Sequence, residues 1–281
     1  MFYLLNILIQ MKILLSNSVF FKSLRHFNDI GFVPTMGGIH KGHLSLINKS
    51  NKLCKKTIVS IFINPKQFNK KEDLKSYPKN IKKDLTILNK DNKVDFVYLP
   101  KFKDIYKNNK KSKINLNKKD KILCAKYRKG HFEGVLDVMN KLTNIIKPKK
   151  IFMGEKDFQQ LHLCKNFLEK KYNTKVISCK TIRNKNKVAL SSRNFLLNKS
   201  DLNTAAQIYK KMFNLKRNLK KKRDIFNFLL IQKKQIETDY KVKIEYLELR
   251  TNNKLRLSKK INNSRLFIAY YLNNVRLIDN L

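Results

Sequence analysis

Short apolar segments alternate with amphipathic segments through the first two-thirds of this 281-residue chain. The segment Gly134–Ile146 places its apolar residues at helical spacing, and helical patterns also cover Lys79–Asn89 and Asp157–Tyr172. Regular alternation of strands and helices is typical of a mainly parallel sheet with helices on both faces. The sequence therefore predicts an α/β fold built on a doubly wound sheet. The predicted strands are Ile13–Leu15, Phe32–Val33, Thr57–Ile63, Val94–Leu99, Lys150–Met153 and Lys175–Thr181.

The pattern changes after about residue 183, where two helical stretches, Asp201–Asn218 and Ile225–Thr238, precede three short apolar segments. We predict a Rossmann-like first domain over residues 1–182 and a second, smaller α+β domain over residues 183–281. The lysine- and asparagine-rich stretch Lys107–Lys121 has little periodicity, so we interpret it as a surface loop or a weak hairpin. The short C-terminal strands are predicted near Val242–Leu249, Leu266–Tyr271 and Arg276–Ile278.

The first ten residues are apolar, but they lack the basic leading region and the cleavage site of a signal sequence. They are also too short to span a bilayer. We interpret them as an extension before a first strand that begins at Met11, where translation could also start. The four cysteines are scattered without a Cys-x-x-Cys pair, which argues against a zinc site or a disulfide framework. We therefore expect a cytoplasmic protein with reduced thiols and no membrane partner.

The net charge of +43 raises the alternative of an RNA-binding protein, which would bind with a steep salt dependence. Only ten of the 63 basic residues are arginines, and the lysines are spread along the chain among many asparagines and isoleucines. Nucleic-acid sites favour arginine for bidentate contacts with bases. We interpret the composition as drift toward A/T-rich codons and predict no dedicated nucleic-acid partner.

Two adjacent glycines mark the segment Pro34–His43, which reads PTMGGIHKGH and follows a predicted strand. Adjacent glycines let the backbone turn sharply and approach a ligand closely. A helix beginning there would direct free N–H groups at an anion, and His40 and His43 would share one of its faces. The segment predicts a site for nucleotide phosphates, although similar glycine turns occur in α/β proteins without a nucleotide.

Polar residues also follow other predicted strands, at the edge of the sheet where ligands of this fold class bind. The segment Ser60–Phe68 places the amide of Gln67 at that edge, and its structural alternative is a strand-ending turn. The segment Gly154–Gln160 offers Lys156 as a compact cation for phosphate. Asp157 in the same segment has the alternative role of a helix N-cap.

Two further segments carry hydrogen-bond donors. Leu190–Asn194 contains two serine hydroxyls and the guanidinium of Arg193, a set of donors suited to a polyphosphate. Arg128–Phe132 precedes the predicted helix at Gly134, and its histidine, His131, has a purely structural alternative. Together these segments predict a phosphate-binding site assembled from distant parts of the chain.

In combination, the segments resemble the pantothenate synthetases (pantoate–β-alanine ligases) of the nucleotidyltransferase superfamily. The family patterns PTMGxxHxGH, FxNPxQF, GEKDxQQ and SSRN all occur here in order, and the resemblance runs from about Met11 to Asn280. It implies an ATP-dependent ligase that condenses (R)-pantoate with β-alanine to form pantothenate. The implied route passes through a pantoyl adenylate and releases AMP and pyrophosphate.

The resemblance also implies roles for individual residues. His40 and His43 would be the signature pair of the superfamily, with His43 as the proton donor, and Lys156 and Arg193 would also act in catalysis. Gln67 and Gln160 would bind pantoate, and Gln67 would also contact β-alanine. The resemblance further implies Mg²⁺ carried mainly by the ATP phosphates, a homodimer and a cytoplasmic location. The implied ATP-binding residues are Met36, Gly37, Gly38, Ile39, His40, Lys41, Gly42, His43, Gly154, Glu155, Lys156, Asp157, Ile182, Leu190, Ser191, Ser192 and Arg193.

The chain departs from the family pattern at two places. Asn186-Lys187 stands where the family often has Asp-Gly, and Lys129 stands where it has proline. A loop without its glycine is less free to turn, so we expect slower closure over the nucleotide. Activity is expected, and the alternatives are an inactive homologue and a nucleotidyltransferase with a different acceptor.

Overall fold

A computed structural model describes residues 11–106 and 114–281, which form a parallel sheet of six strands and an antiparallel sheet of three. All neighbouring strands of the first sheet pair in parallel, in the order β1-β4-β3-β2-β5-β6. Successive strands add on one side of β2 and then on its other side, so the predicted doubly wound α/β fold is confirmed. The six strands are β1 (Lys12–Leu14), β2 (Ile30–Thr35), β3 (Lys56–Ile61), β4 (Phe96–Tyr98), β5 (Lys150–Gly154) and β6 (Lys175–Cys179).

Helices connect these strands and bury their apolar stripes against the sheet. The three helices predicted in this region are confirmed, and the one predicted from Gly134 begins three residues earlier, at His131. Its apolar stripe packs with the fully buried Phe32, Ile58 and Ile151 of the sheet. The helices are α1 (Asn17–Leu24), α2 (Lys41–Leu53), α3 (Lys71–Lys75), α4 (Ile81–Asp91), α5 (Phe102–Ile105), α6 (Cys124–Tyr127), α7 (His131–Ile146) and α8 (Phe158–Lys171).

The C-terminal part folds as predicted, with two helices packed on an antiparallel sheet of order β7-β8-β9. A second core forms here around the buried Ile208, Met212 and Ile236. The proposed domain boundary between residues 182 and 183 stays a prediction. The elements are α9 (Lys199–Asn218), α10 (Ile225–Tyr240), β7 (Lys243–Thr251), β8 (Ser264–Leu272) and β9 (Val275–Asn280).

Two sequence interpretations fall wholly or partly outside the described residues. Residues 1–10, interpreted as an extension, lie outside them, as do residues 107–113 of the predicted loop or hairpin. The described remainder of that stretch, residues 114–121, contains a 3-10 turn at Lys118–Asp120 and no strand. In the described parts of the chain, every helix is too short or too polar to cross a membrane.

Candidate active site

A cavity of about 240 Å³ opens at the C-terminal ends of β2, β3 and β5. This is the point where the strand order reverses, and ligands of doubly wound sheets bind at such points. Of the predicted site residues, Gly37, Gly38, Ile39, Lys41 and Glu155 do not line it. The predicted residues that do line it are Met36, His40, Gly42, His43, Gln67, Gly154, Lys156, Asp157, Gln160, Ile182, Leu190, Ser191, Ser192 and Arg193.

The glycine loop between β2 and α2 is held by a carboxylate from α4. Gly37 and Gly38 have positive φ angles of 84° and 62°, which let the loop turn as predicted. Both oxygens of Asp84 then accept loop N–H groups, from Gly38 at 2.9 Å and from Ile39 at 2.8 Å. Asp84 is only 3% exposed, so this pairing satisfies a buried charge. The N–H groups of Gly38 and Ile39 are therefore occupied by this carboxylate.

The two histidines at the start of α2 hold each other and the loop. Nδ1 of His40 accepts the N–H of Gly42 at 3.0 Å, which corrects the expectation that this N–H is free. Nδ1 of His43 accepts the backbone N–H of His40 at 3.3 Å, and the ring centroids lie 4.1 Å apart. Because Nδ1 accepts in both rings, the proton of each neutral imidazole resides on Nε2. Both rings line the cavity and can donate a hydrogen bond from Nε2.

Burial and neighbouring positive charge keep these imidazoles neutral. Burial, then Lys156, lowers the pKa of His40 to about 4, against a smaller opposing effect of Asp157. Burial, then His40 and Lys156, lowers the pKa of His43 to about 3. At neutral pH both rings are therefore uncharged, and each can donate a hydrogen bond from Nε2.

We expect the ring resonances of His40 and His43 to show neutral Nε2–H tautomers down to about pH 5. Nitrogen-15 NMR of the rings across about pH 4–8 measures this directly, with the exposed His26 as a reference ring. The unfolded chain binds these protons below about pH 6.5, so both histidines should lower the free energy of unfolding as pH falls toward about 4. Titration of either cleft histidine near its ordinary pKa would contradict the assignment.

The turn between β5 and α8 brings a cation to the cavity. Lys156 lines the cavity, with its Nζ 3.7 Å from Oδ1 of Asp157. Asp157 precedes α8 but makes no capping hydrogen bond through its side chain, so the N-cap interpretation does not account for it. Glu155 points to Arg265, with 2.9 Å between the charged atoms. The amide of Asn280 donates to the carbonyls of Glu155 and Lys156, which fixes the turn from β9.

The serine–arginine segment covers the cavity from the other side. Oγ of Ser192 donates to the carbonyl of Gly38 at 3.0 Å, so this hydroxyl serves to dock the segment on the glycine loop. The hydroxyl of Ser191 accepts the N–H of Arg193 at 3.2 Å. Nη2 of Arg193 lies 2.9 Å from each carboxylate oxygen of Asp73. A guanidinium therefore faces the cavity in a fixed orientation.

The departures from the family pattern leave the cavity lining intact. Lys187 adopts a positive φ of 67°, a left-handed conformation that costs about 1–2 kcal/mol for a residue with a side chain. The turn still closes, because the N–H of Lys187 donates to the carbonyl of Asn184. Arg183 and Ala189 also pair through an isolated antiparallel β-bridge. Lys129, which replaces the proline, is exposed.

The amide of Gln67 is oriented before any ligand arrives. It ends the 3-10 turn Pro65–Gln67 that follows β3, and it is buried. Its Oε1 accepts from Nδ2 of Asn64 at 3.3 Å, and its Nε2 donates to the sulfur of Met36 at 2.7 Å. A thioether is a weak acceptor, so a ligand oxygen can replace it at Nε2 with a gain in hydrogen bonding.

Helix α7 packs against the 3-10 turn Pro65–Gln67 and fixes its position. Gly134 lies so close that an added Cβ would meet the carbonyl oxygen of Lys66 at 2.3 Å. Nδ1 of His131 lies 2.6 Å from the carbonyl of Gln67, and its Nε2 lies 3.0 Å from Nη1 of Arg128. Because arginine only donates, Nε2 accepts and Nδ1–H donates. Burial, then Arg128, keeps the pKa of His131 well below its usual value, so the ring is neutral. The structural interpretation of His131 fits these contacts.

Three parts of the site are not evident from the sequence. Asp84 binds a loop 45 residues away in sequence, and no local pattern marks it. Arg128 lies in a segment that was noted only for its histidine. The apolar face of α7 has the pattern of a helix that faces the core, and part of it also lines the cavity; a hydrophobic pattern does not distinguish the two. The apolar residues of α7 that line the cavity are Val135, Val138, Met139 and Leu142.

Comparisons with known proteins agree with one another. The sequence model of the Pantoate-beta-alanine ligase family matches residues 12–281. A pantothenate synthetase from Flavobacterium psychrophilum is 38% identical over 259 residues, which cover 90% of this chain and 91% of that protein. A pantothenate synthetase from Pseudothermotoga lettingae is 36% identical over 264 residues, covering 92% and 93% of the two chains.

Solved structures give the same result. The pantoate-beta-alanine ligase from Francisella tularensis, solved in complex with beta-gamma ATP and beta-alanine, superposes with a TM-score of 0.83 at 36% identity. That match covers 96% of this chain and 97% of the other. Pantothenate synthetase from Thermus thermophilus superposes with a TM-score of 0.89 at 26% identity, covering 96% and 99%. The chain therefore belongs to the pantoate-beta-alanine ligase family, as its motifs predicted.

Proposed function

We propose that this cavity condenses pantoate with β-alanine in an ATP-dependent reaction that yields pantothenate, AMP and pyrophosphate. The observation that carries the proposal is the convergence of phosphate-binding and acid-binding groups on one cavity. The imidazole pair and Lys156 lie on the same cavity as the amides of Gln67 and Gln160. The ligands named for the Francisella tularensis structure, beta-gamma ATP and beta-alanine, support two of the three substrates.

In the first step, a carboxylate oxygen of pantoate attacks the α-phosphorus of ATP, and the bond to pyrophosphate breaks. Negative charge grows on the phosphate oxygens as this happens. Hydrogen-bond donors fixed before the reaction stabilise such charge without reorganisation. The Nε2–H groups of His40 and His43, the ammonium of Lys156 and the guanidinium of Arg193 supply those donors. In the second step, the deprotonated amine of β-alanine attacks the acyl carbon, and the bond to AMP breaks.

The cavity also suits the shape of pantoate. Pantoate carries two methyl groups on its central carbon, with a hydroxyl on each side and a carboxylate at one end. The apolar face of α7, with Val138 and Met139, offers a surface for the methyl groups. Gln67 and Gln160 offer amides for the hydroxyls and the carboxylate. An apolar pocket with a few fixed polar groups is the usual basis of small-molecule specificity.

The residues present are compatible with Mg²⁺ that arrives on ATP. The described residues contain no group of three or more histidine, cysteine or acidic side chains able to hold a metal ion. Magnesium commonly binds through one or two carboxylates together with substrate phosphates and water. Asp157, which lines the cavity, would supply the carboxylate. The ion would supply neutralisation of phosphate charge when bound.

The resemblance supports three further proposals. Residues 1–182 would bind the nucleotide and pantoate, and residues 183–281 would close over the site. The chain would form a homodimer, which sedimentation equilibrium can measure. It would act in the cytoplasm. Membership of this ligase family does not favour the alternatives of an RNA-binding protein or of a different acceptor.

The proposed function is tested by exchange of labelled pyrophosphate into ATP in the presence of pantoate and without β-alanine. Exchange would establish the adenylation step, and release of AMP on addition of β-alanine would complete the reaction. A purified, folded protein that supports neither reaction would refute the proposal. Exchange that depends on another acid would indicate a different substrate.

We expect Gln67→Ala to raise the KM for pantoate about 10- to 100-fold, because a buried amide that hydrogen-bonds the substrate is lost. The KM for ATP should change less than about threefold, since Gln67 lies beside Met36 and α7 rather than beside the phosphate donors. Initial rates of pyrophosphate exchange measure both constants. Unchanged dependence on pantoate would remove Gln67 from substrate binding.

A further inference from the structure

Two arginines at the cavity share a single carboxylate. Nη2 of Arg193 lies 2.9 Å from both oxygens of Asp73, whereas Nη2 of Arg128 lies 3.8 Å from one of them. The nearby Arg276 is paired with Glu245 at 2.6 Å. One negative charge therefore serves two guanidiniums, and the weaker ion pair is the one made by Arg128. A positive charge is left at the cavity wall for a ligand to neutralise.

The side chain of Arg128 is held in place near the turn that carries Gln67, the residue proposed to bind pantoate. Its side chain is 15% exposed and lines the cavity. Its Nη1 lies 3.0 Å from His131, and the other ring nitrogen of His131 holds the carbonyl of Gln67. The guanidinium and the Gln67 turn are thus joined through one imidazole. A fixed planar guanidinium matches a carboxylate with two parallel hydrogen bonds.

A smaller cavity of about 40 Å³ adjoins the main one at this position. The two cavities share Arg128, His131, Lys156, Asp157 and Gln160 as wall residues. The space beside Arg128 is therefore continuous with the space beside Gln160. A ligand with an anionic end at Arg128 therefore occupies the same cavity as a pantoyl group held by Gln160.

The electrostatic surroundings favour an anion beside Arg128. Burial, then the charges of Arg193 and Arg276, lowers the pKa of Arg128 to about 10, against smaller opposing effects that include Asp73. The guanidinium still carries its charge at neutral pH. A cation that has lost water and faces other cations is stabilised by a bound anion more than an exposed cation is.

We propose that Arg128 binds the carboxylate of β-alanine and so directs the amine toward the acyl carbon held near Gln67 and Gln160. This inference rests on the proposed function, because it needs a second substrate with an amine at one end and a carboxylate at the other. Two methylene groups separate the amine from the carboxylate, so both ends of the substrate can lie within the one cavity that Arg128, Gln67 and Gln160 line. The phosphates of ATP have their own donors in Lys156, Arg193 and the histidine pair.

The test is Arg128→Met, assayed in each half-reaction. We expect kcat/KM for β-alanine in AMP release to fall about 10- to 100-fold, as for loss of a charge-assisted hydrogen bond. Pantoate-dependent pyrophosphate exchange needs no β-alanine. The fold-decrease in its rate should be about tenfold smaller than the fold-decrease in kcat/KM for β-alanine. Exchange by the wild-type chain tests the proposed function separately, so the two ideas can fail independently.

An amine without a carboxylate gives a readout that a purely structural role would not move. The wild-type chain should prefer β-alanine over propylamine, which lacks the carboxylate, and Arg128→Met should lose most of that preference. Arg128→Lys should restore part of this preference, because lysine keeps the positive charge but lacks the planar guanidinium that makes two parallel hydrogen bonds. The matched control is Lys180→Met, which removes an exposed cation from the same cavity and should leave the preference unchanged.

Two results would overturn the inference. An equal fall in exchange and in β-alanine use by Arg128→Met would place the guanidinium on pantoate or ATP instead. A retained preference for β-alanine over propylamine would show that another group binds the carboxylate. If Arg128→Met does not fold, Arg128→Lys and the propylamine comparison decide the question.

Discussion

His43→Ala should slow formation of the pantoyl adenylate by about 10²–10³-fold, as expected when one donor to a developing negative charge is removed. The structure gives a second reason for a large effect, because Nδ1 of His43 also accepts the backbone N–H of His40. Loss of that acceptor should loosen the orientation of the neighbouring imidazole. Pantoate-dependent pyrophosphate exchange, measured with both substrates saturating, gives the rate.

The matched control is His26→Ala, which removes an exposed histidine outside the cavity and should leave exchange unchanged. His43→Gln should recover part of the rate, because its side-chain amide offers both an acceptor and a donor. Near-normal exchange by a folded His43→Ala protein would exclude His43 from the mechanism.

Asp84→Ala should damage the site from outside the cavity. It leaves the N–H groups of Gly38 and Ile39 buried without an acceptor, at a cost of about 1–3 kcal/mol each in the free energy of unfolding. The glycine loop, and the histidines that follow it, should then shift. A displacement of about 1 Å can cost about 10²-fold in rate, so we expect exchange to fall by about that factor. Urea unfolding and exchange assays measure the two effects.

Asp84→Asn separates the charge from the hydrogen bonds. The asparagine keeps one acceptor oxygen but turns an NH₂ group toward the other loop N–H, so both effects should be intermediate. Asp91→Ala removes an acidic side chain from the far end of the same helix and serves as the control. Exchange within about threefold of wild type in folded Asp84→Ala would show that the loop keeps its shape without this carboxylate.

The sequence allowed prediction of the parts of this protein that depend on local pattern. Strand–helix alternation gave the doubly wound sheet, with boundaries correct to within a few residues. The histidine pair, Gln67 and Lys156 were identified because each follows a strand end, and strand ends converge in this fold. Hydrophobic periodicity predicts the order of strands and helices, and this topology brings the strand ends to a common cavity.

Contacts between distant segments could not be predicted in this way. Asp84 looks like any acidic residue in the first turn of a helix, and its importance comes from a loop that lies against that turn. The same holds for Asp73, whose partners Arg128 and Arg193 are separated by 65 positions in the numbering. The free N–H group predicted at the start of α2 failed for a local reason, because the side chain of His40 accepts the N–H of Gly42.

The close approach of Gly134 to the carbonyl of Lys66 bears on how such a lysine-rich sequence can keep a selective pocket. The backbones of Gly134 and Lys66 are in contact there. The position of the Gln67 turn on α7 therefore does not depend on which side chains cover the surface. Replacement of surface residues by lysine can proceed without altering that position. We therefore expect discrimination among acids of different width to be insensitive to the lysine content of the surface.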